Sequence, residues 1–243
     1  MVVIMEKFTA GITRLGLKLN QGQIGQFMTY YHELVAWNEH VNLTAITDFD
    51  EVQVKHFLDS ATVVIACPRL TDHGRTRVID VGTGAGIPGL PLKVLFPDID
   101  LVLLDATSKK AAFLHHLNQK LGLDNVEILV GRAEEVAHRK EYREKYDIVL
   151  SRAVAPMATL VELTLPFCAV RGTCIAQKKG EVGPEISQAE KAIKLLGGEL
   201  REIKEIRLEE FDDERCLVII DKVSETPYKY PRRPGIPAKR PIV

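Results

Sequence analysis

The sequence predicts a doubly wound, mostly parallel α/β sheet preceded by a layer of helices, and three observations carry that prediction. Beyond residue 73, short apolar runs alternate with helix-length segments. The first of those runs ends in a glycine-rich turn. The first seventy residues instead place apolar side chains at helical spacing.

Ile24, Phe27, Met28, Tyr31, Leu34, Val35 and Leu43 recur near the helical period, and Val52, Val54 and Leu58 do so more loosely, so residues 1–72 read as a helical extension packed on the core. Apolar runs at 77–81, 101–104, 126–130, 147–150, 173–177 and 216–221 read as buried strands. The spacers 91–96, 109–121, 133–146, 157–170 and 185–196 read as crossover helices. This alternation implies parallel strands joined by right-handed crossovers, within a domain spanning 73–225. Residues 226–243 form a tail whose five prolines exclude helix and favour an extended path.

Composition bounds the function. With 46% hydrophobic and 27% charged residues among 243, the chain buries a real core, which excludes disorder and collagen-like repetition. Its longest apolar runs, such as 61–68, fall short of the roughly 20 residues a membrane span needs, and residues 1–8 are too short and acidic for a signal peptide. A cytoplasmic chain with no membrane association is expected, and as no long apolar heptad asks for a partner, a monomer. Cys67, Cys168, Cys174 and Cys216 lack CxxC spacing, so no metal site is expected and the thiols read as buried and reduced. The net charge of −1 hides a division: five of the 32 basic residues lie in the acid-free tail, leaving 27 bases against 33 acids in residues 1–225, a net of −6.

The stretch VIDVGTGAGIPGLP at 78–91 is the most informative. A strand ends in Asp80 and runs into Gly82, Gly84 and Gly86, which let the backbone turn sharply and approach a ligand closely. The dinucleotide spacing G-x-G-x-x-G is not met, since Ile87 stands at the third place, which favours a ligand without a pyrophosphate. The next strand ends in Asp105, placed to accept hydrogen bonds from ribose hydroxyls, so glycine loop and acid together point to an adenosine-containing cofactor. Glu134, after the third strand, reads either as a site residue or as an acid favoured at a helix start. Arg152, after the fourth, reads as a contact to cofactor, phosphate or base edge. Lys109 and Lys110, with Lys178 and Lys179, add positive charge after other strands and suggest a substrate groove. His115 and His116 read as surface or packing residues, and Trp37 as a core anchor before a base-stacking platform.

In order along the chain stand W-N-E-H-V-N-L-T-A-I-T-D (37–48), H-F-L-D-S (56–60), D-V-G-T-G-A-G-I-P-G-L-P, L-D-A-T-S-K-K-A-A-F-L, G-R-A-E, S-R-A-V-A, Q-K-K-G and Y-P-R-R-P-G-I-P-A-K-R-P. Each is weak alone. In this order they closely resemble the bacterial glucose-inhibited division protein B family, small-subunit (16S) ribosomal RNA guanine-N7 methyltransferases that use S-adenosyl-L-methionine. The resemblance covers nearly the whole chain from about Tyr30. It implies the class I, Rossmann-like methyltransferase fold and a methyl-donor site lined by Gly82, Ile87, Ala133, Glu134 and Arg152, with Asp80 and Asp105 the fold's usual acids. Gly84 belongs to the same loop. It further implies a small-subunit RNA or 30S partner. Lys109, Lys110, Arg152, Lys178, Lys179, Arg232, Arg233, Lys239 and Arg240 are then expected to face RNA. Guanine N7 carries a lone pair and no proton, so no general base is expected. A nicotinamide oxidoreductase, a non-catalytic cofactor-binding module and a small-molecule methyltransferase stay open on residues alone.

Overall fold

The computed structural model describes residues 5–70 and 75–243. The expected boundary at 72/73 and the first four residues of the segment weighed as a leader lie outside the described residues. Seven strands form one sheet: β1 (Arg77–Val81), β2 (Asp100–Asp105), β3 (Val126–Val130), β4 (Tyr146–Arg152), β5 (Cys168–Lys179), β6 (Gly198–Ile206) and β7 (Arg215–Lys222). Their spatial order is β3-β2-β1-β4-β5-β7-β6. The first five pair in parallel, and β7 runs antiparallel between β5 and β6. The doubly wound, mostly parallel sheet expected from the sequence is the one observed.

Alternate residues of the central strands feed two cores. Val78, Leu103, Ile148, Leu150 and Ile175 face the N-terminal helices, while Ile79, Val81, Leu104, Val149 and Cys174 face the helices Met157–Thr164 and Gly183–Leu195. Because both faces are covered, the strands are continuous apolar runs, which is why they were legible.

The N-terminal layer comprises helices Glu6–Arg14 and Gln21–Asn38 and a helical run over 49–66 whose middle, Gln53–Leu58, is π-helical. Asn20 starts the second helix with a capping box: its side chain accepts from the Gln23 amide, and the Gln23 side chain accepts from the Asn20 amide. Phe8, Phe27, Tyr30 and Phe57 meet with ring centroids 4.5–5.9 Å apart. Each such pair adds about 0.5–1.5 kcal/mol beyond its burial. All four cysteines are free and buried.

Three local expectations differ. Strand β6 carries exposed Arg201, Glu202, Lys204 and Glu205, the charge pattern of a protected sheet edge, and this concealed it. The helix expected over 133–146 is confined to Ala133–Val136. Its continuation holds Arg143, which donates to the carbonyls of Ala137, Thr226 and Tyr230, and Glu144, in the left-handed region at φ 51°. The tail does not run extended: it folds back on the body and forms a helical turn at Ile236–Lys239, whose first residues include Pro237, where a missing amide costs nothing. Among the described residues no helix is long and apolar enough to cross a membrane, and no group of three or more metal-ligating side chains comes together.

Candidate functional site

The register aligns Asp80 with Leu103 and Asp105 with Val130, so the turns after β1, β2 and β3 emerge side by side at one edge of the sheet. Open α/β sheets bind ligands at this carboxyl edge. The Gly82 and Thr83 amides both donate to Leu104 O, at 2.8 and 3.1 Å, pinning the glycine loop to β2. Gly82 has φ +75°, and a Cβ there would lie 2.5 Å from Val154 Cγ2. From inside, Asp80 shapes the loop: its Oδ2 accepts from Thr83 Oγ1 at 2.7 Å and from the Gly89 amide at 2.9 Å. Tyr30 donates to Ala85 O at 2.6 Å, so the helical layer braces the same loop.

Asp105 is nearly buried and joins loop to strand. Its Oδ2 accepts from the Gly84 amide at 3.0 Å and its Oδ1 from the Thr107 amide at 2.8 Å, with Lys110 Nζ 3.9 Å from Oδ2. Each carboxylate oxygen keeps a second lone pair. The residue is therefore held in place yet able to accept from a ribose. A cavity of about 120 Å³ opens here, lined by Gly82, Asp105, Ala133, Glu134 and Val154 among others. Val154, packed over Gly82, keeps it below the few hundred Å³ usual for ligand pockets. A larger opening of about 790 Å³ lies between the Glu6–Arg14 helix and residues 209–212, but carboxylates dominate its lining, a poor seat for a nucleic acid.

The structure thus gathers Gly82, Gly84, Asp105, Ala133 and Glu134. Ile87 points into the core beneath the loop, 8% exposed, and Asp80 is fully buried. Arg152 turns instead to the helical layer, where Nη1 lies 2.8 Å from Asp59 Oδ2 and Nη2 donates to Lys55 O at 2.7 Å. Lys178 donates to Ala155 O at 2.9 Å and Glu185 at 2.6 Å, fixing the turn that carries Val154. Lys179 pairs with Asp213, and Arg232 with the buried Glu162. Lys109, Arg233, Lys239 and Arg240 are exposed. Trp37 packs against Phe113 and His116, and His116 reaches Glu33 at 2.6 Å, the packing roles expected of them.

Sequence reasoning missed a buried polar cluster beside the site. Asp59 bridges Arg152 and Arg215, whose Nη1 atoms lie 2.8 and 2.7 Å from its two oxygens, and Gln177 donates to Asp59 O at 2.6 Å. His56 stands 3.3 Å from Arg152 Nη2 and 2.8 Å from Thr44 Oγ1. The π-helical turn that carries His56 is a geometry frequent at functional sites. The motifs H-F-L-D-S, S-R-A-V-A and Q-K-K-G meet here, so their co-occurrence was the available signal.

Burial, reinforced by the Arg152 charge, lowers the His56 pKa from 6.5 to about 3. Below about pH 6.5 the unfolded chain takes up a proton that the folded chain refuses until about pH 3, so this residue weakens the fold as pH falls. Asp80 works the other way: burial raises it to about 6 despite the bonds from Thr83 and Gly89, so the folded chain gains stability as pH falls from about 6 towards 4. Between pH 6.5 and 4, wild type is expected to lose stability relative to His56→Gln by about 1.4 kcal/mol per pH unit in urea unfolding. Parallel stability curves would contradict the buried, neutral histidine.

Comparison with known proteins decides the family. A family profile described as rRNA small subunit methyltransferase G (GidB) matches residues 23–215. The chain belongs to this family. A curated relative named ribosomal RNA small subunit methyltransferase G from Dehalococcoides mccartyi is 52% identical over 239 residues, covering 98% of this chain and 100% of its own. One of the same name from Alkaliphilus metalliredigens is 47% identical over 232 residues, covering 96% of each chain. Among solved structures, a Listeria monocytogenes protein described as a class I S-adenosylmethionine-dependent methyltransferase superposes with TM-score 0.58 at 10% identity, covering 82% of this chain and 69% of its own. That likeness shows the shared class I methyltransferase fold. The GidB match spans the glycine loop, Asp105, Glu134, Arg152 and the lysine pair, whereas the tail from 226 lies beyond it.

Proposed function

We propose that the chain transfers the methyl group of S-adenosyl-L-methionine to N7 of a guanine in small-subunit (16S) ribosomal RNA, releasing S-adenosyl-L-homocysteine. The observation that carries the reading is the set Gly82, Asp105 and Glu134 on one cavity, in a chain of the GidB family. The cofactor, when bound, supplies an electrophilic methyl on a sulfonium. The residues fit it: Asp105 would accept from the ribose hydroxyls, the Gly82–Gly84 backbone would lie close against the ligand, and Ala133 and Glu134 would close the side formed after β3. No pyrophosphate has to be accommodated, in keeping with Ile87 at the third loop position.

Guanine N7 presents its lone pair without a proton, so the chain's task is to align acceptor and methyl, a proximity effect. Arg152, held by Asp59 and the Lys55 carbonyl after β4, would orient a ligand that reaches this turn. Lys109, Arg233, Lys239 and Arg240 are exposed and supply the charge that would hold RNA backbone. Lys110, Lys178, Lys179 and Arg232 already face acids, so their share of that pull is smaller. In this reading the N-terminal helical layer braces the cofactor loop through Tyr30, the sheet domain carries the chemistry and the tail 226–243 presents charge.

Small-subunit RNA, naked and as 30S particles from a strain lacking the gene, should accept label from methyl-labelled cofactor. Cofactor binding with no incorporation into either would leave a binding module in place of an enzyme.

A further inference from the structure

We propose that the docked C-terminal tail sets the position of Glu134 in the methyl-donor site and is latched there by Arg232 and Glu162, which thereby act as positioning residues for the cofactor. The inference rests on reading Glu134 as a cofactor contact. Glu162, in the Met157–Thr164 helix, is wholly buried, a situation a carboxylate tolerates only when paired and hydrogen-bonded. Arg232 meets that demand: its backbone amide donates to Oε1 at 2.8 Å, Nε to Oε1 at 2.9 Å, and Nη2 to Oε2 at 2.6 Å. This bidentate pairing fixes the tail's course as well as its charge.

Three residues on, Gly235 turns through φ +80° and its amide donates to Glu134 Oε1 at 3.0 Å. His138 Nε2 lies 2.8 Å from Pro231 O and Thr159 Oγ1 donates to Pro237 O at 3.1 Å, tying down the chain on both sides of that amide. Glu134 lines the cavity with Gly82 and Asp105, so the group that orients it comes from a segment 101 residues away in the chain. The tail therefore does more than carry charge: its backbone sets a carboxylate of the cofactor site.

The test is calorimetric titration of the full chain with S-adenosylhomocysteine, without RNA, so that the tail's charges play no part. The double variant Glu162→Gln/Arg232→Gln removes the ion pair without stranding a buried charge. It is expected to bind about 10-fold more weakly, the usual size of coupling between linked sites, with an unchanged number of sites per chain. Arg232→Lys, which keeps the charge but not the bidentate fork, should bind with an affinity between wild type and the double variant and guards against a double variant that fails to fold. Glu134→Gln should also weaken binding, and adding it to the double variant should cost little more. Wild-type affinity in the double variant with weakened Glu134→Gln would overturn the latch alone. A fall in binding stoichiometry at unchanged affinity would reduce the latch to a structural tie and overturn it too. Wild-type affinity in Glu134→Gln would overturn the reading of the site beneath it.

Discussion

Gly82→Asp is expected to abolish cofactor binding, raising the dissociation constant for S-adenosylhomocysteine by at least ~100-fold, or about 2.7 kcal/mol. Three effects act together. The φ of +75° places residue 82 where an L side chain costs roughly 1–2 kcal/mol. The Cβ would start 2.5 Å from Val154 Cγ2, forcing that side chain aside. The new carboxylate would then stand in the cavity that Asp105 and Glu134 already line, adding like charge where the ribose is to be held. Gly82 is a half-buried turn residue on the cavity, and calorimetry on a chain with native circular dichroism separates lost binding from lost folding. Affinity within a few-fold of wild type would remove the glycine loop from the site.

Asp59→Ala should be the most damaging single substitution for stability outside the apolar core. It leaves the guanidinium of Arg152 buried without its counter-ion, beside Arg215, which keeps its pairing to Asp213. Breaking a buried ion pair from one side costs about 3–5 kcal/mol. For a chain of this size that corresponds to a melting temperature lower by about 10 °C. His56, 3.3 Å from Arg152 Nη2, should lose its fixed place as well, whereas Gln177 keeps its bond to the main-chain carbonyl of residue 59. Replacing Asp59 and Arg152 together by apolar residues should restore part of the stability, because the cost lies in the stranded charge of Arg152. A melting temperature within about 2 °C of wild type in Asp59→Ala would mean that solvent reaches the cluster and relieves it.

What could be read in advance followed from physics acting within short stretches. The parallel strands announced themselves because both their faces are buried, and the glycine loop because positive φ at 82, 84 and 86 needs residues without a Cβ. Asp105 was legible because an acid at a strand's end can have both oxygens engaged by the next turn and by the loop before it. The unread parts depend on contacts between distant segments. Strand β6 hid behind its edge charges. The Asp59 cluster joins residues over 150 apart in the chain, Asp59 to Arg215, and no local period reports such a pairing. The tail's prolines argued for an extended path without helix, whereas the tail folds back and makes a helical turn at Ile236–Lys239, on a path set by Glu162, Glu134 and Arg143, none of them nearby in sequence.

The central claim is the identity of the acceptor atom. The most direct measurement is to methylate 30S subunits or 16S RNA from a strain lacking the gene with this chain, digest the RNA to nucleosides and short fragments, and locate the added methyl by mass spectrometry. The expected product is 7-methylguanosine at one position in small-subunit RNA, absent when Gly82→Asp replaces the wild-type chain. A methyl on any other atom, or scattered over many guanines, would contradict it.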